Sequence, residues 1–352
     1  MKAVGYFERV ADAFRSAAGR NGTRELTYGL GGEGFRMRFA GEALPPLMTP
    51  ALEHLVCDSF RSGLTVNLWD APSTGVDLPG PPWNRGDLYG NGAVRGFEEG
   101  RYRACVDLAA GLYSLFDAER KEGFVWVRDP AALPLYVVAA PLRVIFHWWM
   151  GGHDRQLAHA AAVGTDRGGV LLAGAGGAGK STAAFACLRS GLRYAGDDYV
   201  LIQPRPLPRV TCLYNSGKLE ATNMAARFPE LLDRVHNADA VESGNDKGLV
   251  FVHQHWPEAI SPGFPVAALL VPRLTGQSAT RLVPCSPAAG LKALLPHSVF
   301  PLPGARAAAI ERLGALVRSV PGYYLEIGAD LLDVPAVIQD FLTRETGCPP
   351  VR

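Results

Sequence analysis

The fold is decided by the stretch Gly174-Ala175-Gly176-Gly177-Ala178-Gly179-Lys180-Ser181, which is followed by Thr182. Two glycines separated by four residues and followed by Lys and Ser have the spacing of a phosphate-binding P-loop. The glycines let the backbone curl until successive N–H groups point into one concavity, which suits an anion at the start of a helix. In such a loop Lys180 reaches the terminal phosphates, and the Ser181 hydroxyl takes one coordination position of Mg²⁺.

The residues on either side of this stretch support the same interpretation. An apolar run over residues 169–173 predicts a strand that leads into the loop. Residues 181–190 predict a helix that ends at Gly191, where the left-handed backbone favours glycine. The alternative, an ordinary glycine-rich turn, accounts for neither the strand nor the helix. We therefore predict that residues 174–182 bind a nucleoside triphosphate.

Length, charge and cysteine content exclude several classes of protein. At 352 residues the chain is long enough for two domains, each with its own core. Its 35 basic and 34 acidic side chains nearly cancel, so neither a nucleic-acid groove nor a polybasic membrane surface is expected. The six cysteines are scattered without a Cys-x-x-Cys pair or zinc-ligand spacing, which indicates free thiols in a reducing cytoplasm.

Two segments could be mistaken for an export signal or a membrane span. Residues 1–18 carry charges throughout, with Phe7, Val10 and Phe14 at helical spacing, which predicts an amphipathic helix rather than a secretory signal. The most apolar window, residues 131–150, contains two prolines, an arginine and a histidine. We expect a buried strand followed by a helix there, and no membrane span. The sequence thus predicts a cytoplasmic protein.

Residues 1–150 are expected to form a separate N-terminal domain that is α+β and mostly antiparallel. Residues 141–150 predict a helix whose aromatic side chains pack the two domains together. Residues 151–154 are expected to form the hinge. Short strand-like runs alternate with turns rich in Gly and Pro, and they cover residues 35–39, 64–68, 103–107 and 124–127.

Residues 151–352 are expected to form an α/β domain around the P-loop. Its strands are continuous apolar runs, which is typical of a sheet covered on both faces. Besides the strand at 169–173, the pattern predicts strands at 160–164, 194, 199–203, 210–214, 249–252 and 267–271, and helices at 224–235, 288–295, 305–317 and 333–343.

A pair of carboxylates follows the P-loop. Gly196-Asp197-Asp198 begins sixteen residues after Lys180 and leads into another apolar run. Gly-Asp-Asp is also good turn chemistry, so a solvated turn is the alternative. In a P-loop protein, however, a carboxylate at the end of a neighbouring strand supports the Mg²⁺ ion. We favour this functional interpretation.

A histidine precedes the P-loop. His159 lies among small apolar residues, fifteen positions before Gly174. A histidine in this setting can be a satisfied core residue. A hairpin between its strand and the strand at 169–173 would instead bring it beside the phosphate site, and both interpretations stay open at this point.

Taken together, His159, residues 174–181 and Asp197-Asp198 resemble the HPr kinase/phosphorylase family, in which a His-containing strand, a P-loop and an Asp pair occur in this order. Within that group the chain is most similar to the kinases that sit beside lasso-peptide gene clusters and phosphorylate the C-terminal serine of the precursor peptide. Phosphoenolpyruvate carboxykinases share the His, P-loop and Gly-Asp-Asp arrangement and belong to the same structural clan. The resemblance is strong over about residues 155–205 and weak over the N-terminal 140 residues.

The resemblance implies a P-loop kinase domain of the HPr kinase/phosphoenolpyruvate carboxykinase type, with ATP and Mg²⁺ as cofactors. It also implies that one carboxylate acts as base on the acceptor hydroxyl and that the other holds Mg²⁺. We assign Asp197 as the base and Asp198, with Ser181, as the metal support. His159 would orient the pair or contact the phosphate. A carboxylate within about 2.6–3.2 Å of a serine hydroxyl can accept its proton, although positioning and charge neutralisation supply most of the acceleration.

Further cations are needed to neutralise the transferring phosphoryl group. Lys218 and Lys247 are predicted in turns next to strands, and Arg273 follows the strand at 267–271. An exposed side chain without a role is the alternative for each of them. We include all three as candidate phosphate or substrate contacts.

The sequence therefore predicts an ATP- and Mg²⁺-dependent serine kinase whose acceptor is a peptide or small protein. One alternative is a small-molecule or carboxykinase-like phosphotransferase that uses the same phosphate site. A second is a regulator that binds nucleotide without phosphotransfer. No nucleic acid or membrane partner is expected, a homo-oligomer is left open, and residues 1–150 are expected to recognise the acceptor.

Overall fold

The computed structural model describes residues 2–60, 62–242 and 247–346. Contacts within the chain divide it into two compact units. The first comprises Met1–His153 together with Phe300–Arg306, and the second comprises Asp154–Val299 and Ala307–Arg352. Both contain helices and strands, so the protein is of mixed α/β class. The assignment of residues 300–306 to the first unit is a feature that the sequence did not predict.

The first unit contains a mixed six-stranded sheet in the order β1-β2-β3-β6-β5-β4. The outer pairs are antiparallel, but β2, β3 and β6 run parallel at the centre. The sequence did not predict these parallel pairs, which form because long connections carry the chain from β2 to β3 and from β3 to β6. The strands are β1 (Thr23–Leu30), β2 (Glu33–Ala40), β3 (Ser62–Asp70), β4 (Tyr102–Asp107), β5 (Leu112–Asp117) and β6 (Glu122–Val127).

Helices cover this sheet. The amphipathic helix expected at the N-terminus is present, with Phe7, Val10 and Phe14 buried. The strand expected in the window 131–150 is wrong, because residues after Pro134 form a short helix instead. The aromatic helix is confirmed, and its ring contacts with Phe35 and Phe116 lie within the first unit; its predicted role between domains stays a prediction. The helices are α1 (Lys2–Asn21), α2 (Pro45–Met48), α3 (Ala71–Thr74), α4 (Leu135–Ala139) and α5 (Arg143–Gly151).

The second unit is built on a nine-stranded sheet in the order β10-β8-β9-β15-β12-β11-β7, with β17 beside β15 and β16 beside β17. A hairpin of β13 and β14 forms a separate two-stranded sheet. The strands are β7 (Gln156–Ala158), β8 (Ala160–Thr165), β9 (Gly168–Ala173), β10 (Arg193–Tyr194), β11 (Val200–Gln203), β12 (Arg209–Thr211), β13 (Ser216–Glu220), β14 (Lys247–Phe251), β15 (Gly263–Leu274), β16 (Arg281–Cys285) and β17 (Gly322–Ile327).

Helices pack on both faces of the nine-stranded sheet. Alternate residues of β9 account for this arrangement: Val170 and Leu172 belong to one buried cluster, while Leu171 and Ala173 belong to another. The first cluster contains side chains of α6 and α12, and the second contains side chains of α10 and α11. The helices are α6 (Lys180–Arg189), α7 (Ala221–Arg227), α8 (Ala238–Glu242), α9 (Val252–His255), α10 (Pro287–Ser298), α11 (Arg306–Ser319) and α12 (Asp333–Thr346).

One predicted helix of this unit is too long. The expected helix over residues 224–235 ends at Arg227, and residues Pro229–Arg234 continue as a 3-10 helix. Pro229 causes the break, because a residue before proline is disfavoured in the α-helical region. Phe228 accordingly leaves it, with φ −139° and ψ 55°.

The state of the cysteines and the apolar character of the helices can be compared with the sequence-based expectations. Five cysteines are free thiols, and Cys348 lies outside the described residues. Among the described residues, none of the helices combines the length and apolar character needed to cross a membrane.

Candidate functional site

The sheet of the second unit brings the predicted site residues together at one point. The chain runs from β7 directly into β8 but changes its strand partner at His159. Before it, Ala158 pairs with Val200 at the start of β11; after it, Ala160 pairs with Ala173 at the end of β9. His159 is therefore held between the strand end that leads into the P-loop and the strand start that follows the two aspartates.

The P-loop has the geometry that its glycines predict. Gly177 and Gly179 have φ values of +76° and +95°, which a residue with a Cβ adopts only under strain. Helix α6 then begins at Lys180. The Lys180 ammonium donates to the carbonyls of Gly174 at 3.0 Å and Ala175 at 3.1 Å. Burial lowers the pKa of Lys180, and the nearby aspartates oppose that shift.

Asp197 lies deep in the site and accepts a hydrogen bond from the P-loop Ser181 hydroxyl. Its other carboxylate oxygen, Oδ2, is buried and has no hydrogen-bond partner among the described residues. Burial raises the pKa of Asp197, while the Ser181 hydrogen bond and the Lys180 charge act against that shift. Burying a carboxylate oxygen without a hydrogen-bond partner costs free energy. The Asp197 Oδ2 atom therefore indicates a binding position for a cation or a hydrogen-bond donor.

Asp198 is held by two cationic or donating groups. His159 Nε2 lies 3.0 Å from Oδ1, and Lys218 Nζ lies 2.7 Å from Oδ2. Burial acts to raise the pKa of Asp198, but the His159 hydrogen bond and the Lys218 charge outweigh it and hold the pKa well below its usual range. Asp198 also has φ +73°, a left-handed conformation that is strained for a residue other than glycine and that recurs at functional sites.

These groups surround one cavity of about 210 Å³. Lys247 also lines it and forms an ion pair of 3.0 Å with Glu220. Lys218 and Lys247 lie in strands β13 and β14, not in the turns that the sequence predicted. Arg273 does not line the cavity, and its guanidinium lies over the ring of Tyr324. The predicted residues that line the cavity are His159, Gly176, Gly177, Gly179, Lys180, Ser181, Thr182, Asp197, Asp198, Lys218 and Lys247.

Three residues of the site were missed by the sequence analysis. Asn223 on α7 donates to the Thr182 hydroxyl at 2.7 Å and lines the cavity. The Ser298 hydroxyl accepts from the backbone N–H of His159 at 2.9 Å, and the ring of His297 lies 5.3 Å from that of His159. No local motif marks these three positions, since each reaches the site only through packing.

The donor set fits Mg²⁺ and a triphosphate. Mg²⁺ prefers oxygen ligands and commonly uses one or two carboxylates together with phosphate oxygens and water. Ser181 and the unpartnered Asp197 Oδ2 provide protein oxygens of this kind. Within the described part of the chain no three His, Cys, Asp or Glu residues form a metal cluster.

Comparison with known proteins adds little to this geometry. No protein-family model matches the chain, and no curated protein shows a significant match. Among solved structures the chain is similar to the HPr(Ser) kinase/phosphatase from Coxiella burnetii, with 13% identity and a TM-score of 0.30 over 54% of this chain and 97% of that one. An identity and a TM-score this low carry no information about activity.

Proposed function

We propose that this protein is an ATP- and Mg²⁺-dependent kinase that transfers the γ-phosphate to a hydroxyl, with a serine of a peptide or small protein as the preferred acceptor. One observation carries the proposal. A P-loop lysine, a carboxylate bonded to the P-loop serine and a second carboxylate held by His159 and Lys218 line a single cavity. A phosphate site alone needs only the first two of these, so the second carboxylate supports phosphotransfer.

The contacts favour different roles for the two aspartates from those assigned on the sequence. Asp197 is bonded to Ser181 and has an unpartnered oxygen, so we propose that it supports Mg²⁺. Asp198 lies between His159 and Lys218, so we propose that it faces the acceptor hydroxyl. Mg²⁺, when bound, would neutralise charge on the phosphate oxygens.

In the proposed reaction Asp198 orients the acceptor hydroxyl and takes its proton. The new bond joins the acceptor oxygen to the γ-phosphorus, while the bond between that phosphorus and the bridging oxygen breaks and its electron pair leaves with ADP. The low pKa of Asp198 keeps it ionised at neutral pH, and a weak base suffices because phosphoryl transfer depends mainly on positioning and charge. Lys180, Lys218 and Lys247 supply positive charge around the cavity.

A transfer assay tests the proposal against its alternatives. The purified chain is incubated with Mg²⁺ and ATP labelled at the γ-position, together with an array of serine-containing peptides and with free hydroxylated metabolites. Label in peptides supports the proposal, and label only in metabolites favours a small-molecule kinase. Tight nucleotide binding with no transfer to either class would favour the regulator.

We further propose that the first unit holds the acceptor peptide. A cavity of about 680 Å³ lies wholly within that unit, between residues 88–92, 105–109 and the segment that starts at Phe300. Three of its lining side chains are large and apolar yet exposed: Tyr89 by 44%, Leu108 by 49% and Phe300 by 54%. Exposed apolar groups gathered at one cavity are typical of a binding surface.

We expect Leu108→Asp to raise the KM for a peptide acceptor by about tenfold or more, because the substitution replaces apolar contact area with a charge. ATP hydrolysis without acceptor should not change. Val56→Asp is the matched control, since Val56 is also 49% exposed in the first unit but does not line this cavity. Steady-state kinetics of both variants provide the measurement, and an equal effect of the two would contradict this role.

A further inference from the structure

A second cavity in the second unit is separate from the nucleotide cavity. It has a volume of about 490 Å³, within the range of small-molecule sites. Its walls include Phe185 and Leu188 of α6, Phe228 and Leu231 after α7, and Trp256 after α9. Three aromatic rings thus face one space, and none of these residues lines the nucleotide cavity.

Two arginines add positive charge to this apolar space. Arg189 lies over the ring of Phe228 at 5.1 Å, donates to the carbonyl of Arg227 at 3.0 Å and approaches Glu230 at 3.6 Å. Both polar contacts of Arg189 are made by its Nη1. Among the described residues that line the cavity, Glu230 is the only acidic one. Because Glu230 pairs with Arg189, it does not neutralise the charge of the second arginine, Arg234.

The Arg234 guanidinium is stacked over the ring of Trp256 at 4.4 Å. Within the described residues it forms no ion pair with a carboxylate. A stacked guanidinium still presents its N–H donors at the edge of its plane, in the fork geometry that matches a carboxylate or phosphate. Arg234 is therefore held in place by an aromatic ring, with its donors available at a cavity whose walls combine apolar side chains with the Arg189–Glu230 pair.

We propose that this cavity binds a small aromatic anion, with the planar body against Phe185, Phe228 and Trp256 and the anionic group on Arg234. The planar apolar part of the ligand would cover the three aromatic rings and exclude water from them. Its anionic group would pair with the partly buried Arg234 guanidinium. A neutral aromatic compound would satisfy only the first requirement, and a simple inorganic anion only the second. The inference does not depend on the proposed kinase reaction.

The cavity and the P-loop share helix α6. Lys180 begins this helix, and Leu188 lies eight residues later, about 12 Å along the axis at 1.5 Å per residue. A ligand that contacts Phe185 and Leu188 would touch the same helix whose N-terminus adjoins the phosphate site. Any change that it causes in nucleotide affinity must be matched by an equal change in its own affinity when nucleotide binds.

Calorimetric titration of the full chain with 2-naphthoate tests the proposal, because this probe combines a planar apolar body with one carboxylate. 2-Naphthalenemethanol supplies the ring without the charge, and acetate supplies the charge without the ring. We expect one binding site for naphthoate and at least about tenfold weaker binding of each partial probe. Equal affinity for naphthoate and its neutral analogue, or no binding of naphthoate, would overturn the proposal.

Variants identify the site. Arg234→Gln should weaken naphthoate binding by about tenfold or more, and Arg234→Lys should restore part of the loss. Glu230→Gln should strengthen binding a few-fold, on the order of threefold, because it removes the only negative charge among the described residues that line the cavity. Arg227→Gln is the control, since Arg227 is exposed on the same segment but does not line the cavity.

Two further measurements separate this site from the nucleotide site. Lys180→Ala should bind naphthoate as wild type does, and thermal unfolding of each variant shows whether it is folded. Unchanged affinity in a folded Arg234→Gln variant would overturn the assignment. Loss of naphthoate binding in folded Lys180→Ala, or strict competition between naphthoate and ATP, would place the probe in the nucleotide cavity and reject a separate site.

Discussion

Lys180→Ala should abolish phosphotransfer and weaken MgATP binding by more than about 100-fold, because each charge-assisted hydrogen bond to phosphate contributes about 1.5–3 kcal/mol. The side chain is buried and donates to two carbonyls of its own loop, so it lies within the loop that would surround the phosphates. Nucleotide affinity by calorimetry and turnover with labelled ATP measure the two effects.

Lys292→Ala is the matched control, since Lys292 is an exposed lysine on α10 and does not line the cavity. Thermal unfolding should show that Lys180→Ala remains folded, because the substitution removes a charge and opens no apolar core. Wild-type affinity and turnover in a folded Lys180→Ala variant would show that residues 174–182 are not a nucleotide site.

Asp198→Asn should lower phosphotransfer by about 10²-fold or more, the usual scale for a lost proton acceptor. Its affinity for MgATP should change little, since Asp198 contacts His159 and Lys218 rather than the P-loop. Asp197→Asn should instead raise the Mg²⁺ concentration needed for half-maximal activity, because Asp197 has the unpartnered oxygen beside Ser181. Initial rates over a Mg²⁺ titration distinguish the two variants.

The two variants serve as controls for each other, because each replaces a carboxylate by an amide at neighbouring positions. If Asp197→Asn lost the chemical step and Asp198→Asn lost the Mg²⁺ response, the roles assigned on the sequence would be right and those proposed from the contacts wrong. Near-wild-type phosphotransfer rates in both variants would show that neither carboxylate has the role proposed for it. Lys218→Ala should also lower the phosphotransfer rate, but by less than Asp198→Asn does, because it removes only one of the two groups that hold Asp198.

The sequence was sufficient where chemistry is local. The apolar run 169–173 predicted the strand before the P-loop, and residues 181–190 predicted the helix after it, with its end at Gly191, which has φ +86°. Only glycine adopts such a conformation without strain, so the residue type itself carries the information. Apolar periodicity likewise predicted the N-terminal helix and most strands, because side-chain burial follows the period of the element.

The sequence failed where an element depends on distant partners. The parallel centre of the first sheet, the short strand β7 and the inclusion of residues 300–306 in the first unit are set by pairing between segments far apart in the chain. Asn91 illustrates the last case, since its side chain donates to the carbonyls of Phe300 and Leu302, both at 3.2 Å. No local pattern around residue 300 predicts that contact.

The same division applies to the candidate site. The sequence identified His159, Lys180, Asp197, Asp198 and Lys218 as residue types suited to phosphate chemistry, because motif spacing and charge are written in the chain. It assigned Asp197 as the base and Asp198 as the metal support, but the two residues are adjacent and chemically identical, so nothing local to the motif gives them different contacts. Tertiary structure decided that difference: one carboxylate is buried against the P-loop serine, and the other is turned by a left-handed backbone towards His159 and Lys218.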